Sequence, residues 1–372
     1  MRIGLDATPL RAGASPGVRR AVEGWIQGLT LVADGYDGVV AFVPGAAAPT
    51  RSAGGAVSWV GVGDRPDDAG AVRRSASSLA ARHRVDVWLS PWSAFPRLPL
   101  PVVATVHEIP FARLGPVEGR FRTLAHRWWL RRDAASCAAL VVPARAVRGD
   151  VVGLHPEAAD RVHVVAHAFD PAPWEAAGAT SPLEASSHAL YAVLVGVWGR
   201  RKGFDVWRDA ARRLQRGRPY WTLVLPRGAS PSPRDLDDGA GSGRRDVVTG
   251  VRTAVAPADD ELRRLVAHAA LLVQPSRSEG FGFPVLEAMA AGVPVLATTG
   301  GALPEVCADA ALLVPPQDPD ALAAGVTRLL EDDGLRAALV ARGRVRARAF
   351  PARDCGERLL AVLRRAVGGG TP

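Results

Sequence analysis

Two glutamates eight residues apart frame the part of this chain best suited to chemistry: Ser276-Arg-Ser-Glu279-Gly-Phe-Gly-Phe283-Pro-Val-Leu-Glu287-Ala-Met-Ala-Ala-Gly292. The apolar run Leu271-Leu-Val-Gln-Pro275 ahead of it reads as a buried strand, Gly280 and Gly282 allow a tight turn, and Pro284 fits the first turn of a helix. In that geometry the backbone N–H groups of Gly280, Phe281, Gly282 and Phe283 sit at the positive end of the helix, where phosphate or sugar oxygens can accept from them. Glu279 lies on the turn and Glu287 about one turn into the helix, so the two carboxylates can hold different parts of one ligand. A carboxylate accepting from two vicinal hydroxyls clamps a ribose, at about 1.5–3 kcal/mol per charge-assisted bond. A helix that merely carries acids near its N-terminus explains either glutamate alone, but not the whole string.

Composition supplies a second candidate. The chain has 46 Lys plus Arg, yet only one of them is lysine: Lys202, in Gly196-Val-Trp-Gly-Arg-Arg201-Lys202-Gly203. Asn is absent and Ile rare, as expected of a GC-rich genome that replaces AT-rich codons wherever the protein allows. A site that needs a compact ammonium on a flexible stem refuses the exchange for a broad planar guanidinium. A surviving lysine just after an apolar strand therefore marks a cation site, against the plainer reading of a chance survivor on a solvated loop.

The Glu279 string resembles the E-x7-E pattern of retaining glycosyltransferases with the GT-B fold, family 4 in particular. The likeness continues through Thr298-Thr-Gly-Gly-Ala-Leu-Pro-Glu305 and Ala311-Leu-Leu-Val-Pro-Pro and covers most of the chain. It implies that Glu287 holds the ribose hydroxyls of a nucleotide, and that Glu279 with the amides after it holds the transferred sugar. By the same resemblance Gly196, Arg201 and Lys202 belong to a turn that completes a diphosphate site. It also implies a glycine-rich loop after the first strand, which Thr8-Pro-Leu-Arg-Ala-Gly13-Ala-Ser-Pro-Gly17 matches through Gly13 and Gly17; as a bare loop this stretch reads equally well as a connector. His107 in Thr105-Val-His-Glu108 stands where a buried strand ends, and the resemblance assigns it a contact to the donor sugar; without that context a lone His reads as structural. Two departures stand out. Glu108 replaces the usual Asp, and Ala166-His167-Ala168-Phe-Asp170 lacks an Asn-Gly, so His167 is not read as catalytic.

The elements that must position these residues alternate strand and helix. Strands are expected over 2–6, 38–43, 57–62, 86–90, 102–106 and 139–142, with helices over 17–31, 71–83, 118–137 and 145–153. The pattern restarts with strands at 189–197, 221–225, 270–274 and 293–297 and helices at 204–216, 258–268, 284–291, 319–331, 334–349 and 353–366. Such alternation predicts α/β architecture, parallel sheets covered on both faces, with ligands beyond the carboxyl ends of the strands. The resemblance makes this two Rossmann-like domains. An N-terminal acceptor domain spans 1–170, a linker 171–187, a nucleotide-sugar donor domain 188–350, and a crossover helix with tail 351–372 returns to the first domain. Arg227 to Arg245, rich in Gly, Ser, Pro and Asp, reads as a surface loop.

Bulk properties exclude several classes. No run approaches the ~18 apolar residues of a membrane span, and Met1-Arg-Ile-Gly-Leu-Asp reads as a strand rather than a signal peptide, so a cytoplasmic protein is expected. Cys137, Cys307 and Cys355 form no C-x-x-C pair and read as inert core thiols, not a zinc site. The net charge of +9 concentrates in Arg120-Phe-Arg122-Thr-Leu-Ala-His-Arg127-Trp-Trp-Leu-Arg131-Arg132. Phe121, Leu124, Ala125 and Trp128 share one helical face there, which predicts a core-facing helix with a solvated basic side. The alternative is peripheral docking of helix 118–137 at the inner face of a membrane, or contact with a phosphate-bearing acceptor. No nucleic-acid motif is present.

The resulting expectation is a retaining hexosyltransferase-type glycosyltransferase. It needs no metal or other cofactor and moves a sugar from a nucleoside diphosphate, UDP- or GDP-linked, to a hydroxyl acceptor of a cell-envelope glycan or natural product. Rival readings are a non-catalytic sugar-nucleotide-binding partner protein and a sugar-nucleotide epimerase of the same fold.

Overall fold

The computed structural model describes residues 1–11, 13–33, 37–45, 57–93, 97–116, 119–179, 191–196, 199–214, 221–225, 251–253 and 257–368; the loop expected at Arg227 to Arg245 lies outside them. The chain divides into two compact units, Met1–Phe169 with Phe350–Pro372, and Asp170–Ala349.

In the first unit, β1 (Arg2–Asp6) leads through a 3-10 turn at Thr8–Leu10 to α1 (Pro16–Val32), followed by β2 (Gly38–Pro44), β3 (Val57–Val62), α2 (Ala71–Arg82), β4 (Val87–Ser90) and β5 (Val102–Thr105). Next come α3 (Pro110–Leu114), α4 (Arg120–Ser136), β6 (Ala139–Val142), α5 (Arg145–Leu154) and β7 (Val162–Val164). Among the described residues these strands form one parallel sheet in the order β3-β2-β1-β4-β5-β6-β7. Its central strands are continuous apolar runs because helices cover both faces: Ile3, Leu5, Val87, Leu89 and Val103 are all buried.

The second unit opens with α6 (Ala172–Gly178), β8 (Tyr191–Val195), α7 (Phe204–Leu214), β9 (Trp221–Leu225), β10 (Val251–Thr253), α8 (Asp259–Ala267) and β11 (Leu271–Gln274). It continues with α9 (Phe283–Ala291), β12 (Val295–Thr298), α10 (Leu303–Cys307), β13 (Leu312–Val314), α11 (Pro319–Glu331) and α12 (Asp333–Ala347). The described strands again pair in parallel, in the order β10-β9-β8-β11-β12-β13. α11 and α12 start where Asp318 and Asp332 accept from the N–H of Ala321 and Leu335 at 2.9 and 2.8 Å, satisfying an otherwise unpaired helix donor.

The last helix, α13 (Ala352–Gly368), belongs to the first unit and lies on α1. Two glycines let the helices touch: a Cβ on Gly356 would stand 2.2 Å from the Gly28 carbonyl oxygen, and one on Gly28 would stand 2.4 Å from that of Ala352. Leu359, Leu360 and Leu363 then join Trp25 and Leu29 in the core.

Two expectations change. The proposed linker 171–187 contains α6, which packs on α9 with Trp174 buried, because a Trp three residues beyond the N-cap Pro171 buries apolar surface that a free linker would leave in water. The second change concerns α4. It buries Leu130, Asp133 and Ala134 against the unit and sets Arg127 over the Phe111 ring at 5.7 Å, whereas Phe121, Leu124 and Trp128 are exposed. The stripe expected to face the core points the other way, since Leu130 and Ala134 lie on the opposite side of the helical wheel. The three cysteines are buried free thiols, and burial pushes each up to about 12.

Candidate active site

In the second sheet the strand order reverses between β8 and β11, and the connections leaving their carboxyl ends run side by side at such a point. The connection after β8 is a 3-10 turn over Arg200–Lys202; the one after β11 is the turn through Glu279 into α9. Gly203 makes their approach feasible. Its φ is +69°, and a Cβ there would sit 1.9 Å from the carbonyl oxygen of Pro275. The N–H of Arg277 donates to the carbonyl of Arg201 at 2.9 Å, and the Arg277 guanidinium forks onto Asp205 at 2.6 and 2.7 Å while also donating to the carbonyl of Arg200. The two turns are thus bolted together.

Across this junction Lys202 meets Glu279. The ammonium donates to both carboxylate oxygens, at 2.7 and 2.9 Å, and its aliphatic stem passes Gly196, where an added Cβ would meet it at an ordinary 3.7 Å. Arg201 stands 3.8 Å from the same carboxylate. Gln274 and Ser276 donate to Glu279 Oε1 at 2.7 and 2.6 Å. Burial pushes the Glu279 carboxyl up, but the charges of Lys202 and Arg201 and these hydrogen bonds outweigh it and leave it below the ordinary carboxylate range. It is therefore ionised at neutral pH despite being buried.

The turn itself is packed from above. A Cβ on Gly301, whose φ is +64°, would lie 2.3 Å from the Glu279 carbonyl oxygen, and the N–H of Ala302 donates to that carbonyl at 2.9 Å. Gly280, Phe281, Gly282 and Phe283 are buried, the two Phe rings meeting edge to face at 5.2 Å. Glu287 is fully buried in α9.

The first unit holds the remaining candidates. His107 lies just beyond β5, half-buried, and its ring stacks on Trp25 at 6.2 Å. Its Nε2 is 2.9 Å from the carbonyl of Pro91 and its Nδ1 is 3.3 Å from Nε2 of His167. A carbonyl can only accept, so the His107 proton sits on Nε2. Burial lowers the His107 pKa to about 4, only partly offset by the Pro91 bond, so the ring is neutral and its Nδ1 accepts from Nε2–H of His167. His167 is buried and its pKa is held well below the ordinary value by burial and by His107. Gly13, with φ +73°, and Gly17, in the first turn of α1, both face open space where a Cβ would meet nothing within 4 Å.

The structure thus gathers Gly196, Arg201, Lys202, Glu279 and the start of α9 within one unit, and places His107, Gly13 and Gly17 in the other. It adds Gln274, Ser276, Arg277 and Asp205 to the Lys202 cluster, and His167 to His107. Among the described residues no group of three or more His, Cys, Asp or Glu is placed to hold a metal ion.

Comparison with known proteins agrees with this arrangement. The family model for Glycosyltransferase Family 4 matches residues 29–173, and that for Glycosyl transferases group 1 matches 189–332. The O-antigen chain mannosyltransferase B of Escherichia coli is 44% identical over a match that spans only 26% of each chain. The D-inositol 3-phosphate glycosyltransferase of Jonesia denitrificans is 32% identical over 75% of this chain and 70% of its own length. In fold the chain is similar to Anabaena HepE, solved in complex with UDP-glucose, with a TM-score of 0.67 at 15% identity over 98% of this chain and 99% of that one. Two doubly wound units, a C-terminal helix returned to the first, and relatives matching across both make this chain a member of the GT-B glycosyltransferases of family 4, enzymes that take their sugar from a nucleotide sugar.

Proposed function

We propose that this protein is a retaining, metal-independent glycosyltransferase that moves a hexosyl group from a UDP- or GDP-linked donor to a hydroxyl of a cell-envelope glycan or natural product. The observation that carries this reading is the Lys202–Glu279 contact at the reversal point of the second sheet, with Arg201 beside it. Two cations and one carboxylate leave the cluster net positive, which suits the leaving diphosphate. Glu287, deep in α9, is the ribose clamp in this reading.

In the reaction the bond from the anomeric carbon to the diphosphate oxygen breaks while the acceptor hydroxyl bonds to that carbon from the same face, and the hydroxyl proton passes to the departing oxygen. Lys202, Arg201 and the amides after Glu279 stabilise the charge that develops, and removing one such donor typically costs about 2.7–4 kcal/mol of barrier. His107, neutral and with its Nε2–H already given to the Pro91 carbonyl, meets the sugar in this reading as an uncharged ring edge rather than as an acid or base. The cations already present make a divalent ion unnecessary. The UDP-glucose in HepE and the mannosyltransferase among the relatives support a UDP or GDP donor.

Thermal shift against UDP, GDP, ADP and dTDP tests the donor reading. One nucleotide should stabilise the protein selectively, by about 2.7 kcal/mol at a hundredfold its dissociation constant; indifference to all four would remove the donor site. Product stereochemistry then separates the mechanisms, because an inverted anomer contradicts same-face attack.

A further inference from the structure

We propose that α4 is a docking surface for an anionic lipid bilayer. Phe121, Leu124 and Trp128 are 91%, 61% and 61% exposed. Their spacing of three and then four residues places them within roughly 60° of arc at about 100° per residue. The helix is held from the far side by Leu130, Asp133 and Ala134, so the stripe faces directly away from the unit. Arg120, Arg127 and Arg131 flank it on one side and Arg122 on the other, and the one acid in the helix is the buried Asp133. The other large exposed hydrophobics among the described residues include no comparable stripe on one helix. A lone exposed apolar residue needs no explanation; three aligned on two helical turns do.

Charge decides what covers the stripe. A second copy apposed on the same face would set its arginines against these with no exposed carboxylate from α4 between them, Glu157 near Arg131 coming from the neighbouring turn. A bilayer carrying anionic headgroups accepts both features at once: Phe121, Leu124 and Trp128 enter the boundary between headgroups and acyl chains, while the guanidinium groups remain among the phosphates. Trp suits that boundary because its ring is apolar and its N–H polar. The net charge of +9 draws the whole protein toward such a surface.

Flotation of the full chain with vesicles tests this. Vesicles of phosphatidylglycerol mixed with phosphatidylcholine should carry the protein at least roughly tenfold better than phosphatidylcholine alone, with the difference shrinking at high salt. The triple variant Phe121→Ser/Leu124→Ser/Trp128→Ser should lose at least roughly tenfold in binding. Its melting temperature and its nucleotide-induced thermal shift should be retained, since the three side chains are exposed and the nucleotide cluster lies in the other unit. Arg120→Gln/Arg131→Gln should lose about fivefold per arginine at low salt. The proposal is overturned if wild type fails to float, if it floats equally on both vesicles, or if the triple variant floats as well as wild type. A dimer abolished by the triple variant, with no vesicle binding, would assign the face to a second copy instead.

Discussion

Lys202 presents a compact charge to both oxygens of one buried carboxylate. A guanidinium carries the same charge but is wider and reaches farther, so it cannot present its charge at the same point to both oxygens of Glu279. Lys202→Arg should therefore keep the fold and lose roughly 100-fold in kcat with the nucleotide sugar. Unchanged melting with lowered kcat is the expected pair of readings, and full activity in the arginine variant would remove the ammonium from the mechanism. Asp6, at the end of β1, offers a test of a different kind. Burial pushes its carboxyl up from 3.8 to about 6, and the hydrogen bonds from Thr8 offset only part of that. Between those values the folded protein holds a proton that the unfolded chain has released, so stability falls as pH rises through the window and stays lowered above it. Asp6→Asn keeps an oxygen for Thr8 without the charge. It should raise the unfolding free energy by about 1–3 kcal/mol at about pH 7, and the gain should vanish near pH 4. His107 and His167, with lowered pKa values, act in the opposite sense, losing stability as pH falls below the ordinary histidine value. Urea unfolding of both proteins across the range cancels that contribution, and a gain that does not vary with pH would locate the effect elsewhere.

At the scale of elements, the junction between the turn after β8 and the turn after β11 depends on Gly203. Gly203→Ala forces a side chain into a left-handed backbone, at about 1–2 kcal/mol, and drives its Cβ into the Pro275 carbonyl. We expect loss of the nucleotide-induced thermal shift together with a lower melting temperature; a variant that melts lower but keeps its full shift would show that the junction tolerates separation. The sequence made the strands and both turns legible because apolar runs bounded by Gly and Pro are local signals. It did not reveal β7, β10 or β13, each three residues long and too short to show any periodicity. Nor did it disclose Gln274, Ser276, Arg277 and Asp205 as partners of Glu279 and its neighbours, since strand pairing brings Asp205 and Arg277 together across 72 residues. Only Gln274 and Ser276, two residues apart at a strand end and leading to Glu279, carried a local hint. The α4 stripe was visible but its direction was not. Amphipathicity gives two faces, and which one meets the domain depends on Leu130 and Ala134, whose pull is decided by the sheet beneath.

For the whole molecule, the first unit is assembled from both ends of the chain, while the second is a single uninterrupted stretch. Leu359, Leu360, Val362 and Leu363 fill the core of the first unit from α13, and the Gly28–Gly356 contact fixes where that helix seats. No helix among the described residues is long and apolar enough to cross a membrane. During synthesis, domains complete themselves in the order their residues emerge. Here the later-encoded unit closes first: residues 170–349 leave the ribosome before α13 does, and until then the earlier half waits with an open wound in its core. Its nascent sheet is consequently the stage most exposed to aggregation and to chaperones, and a frameshift or stop codon after residue 349 would spare the second unit yet leave its companion unfinished.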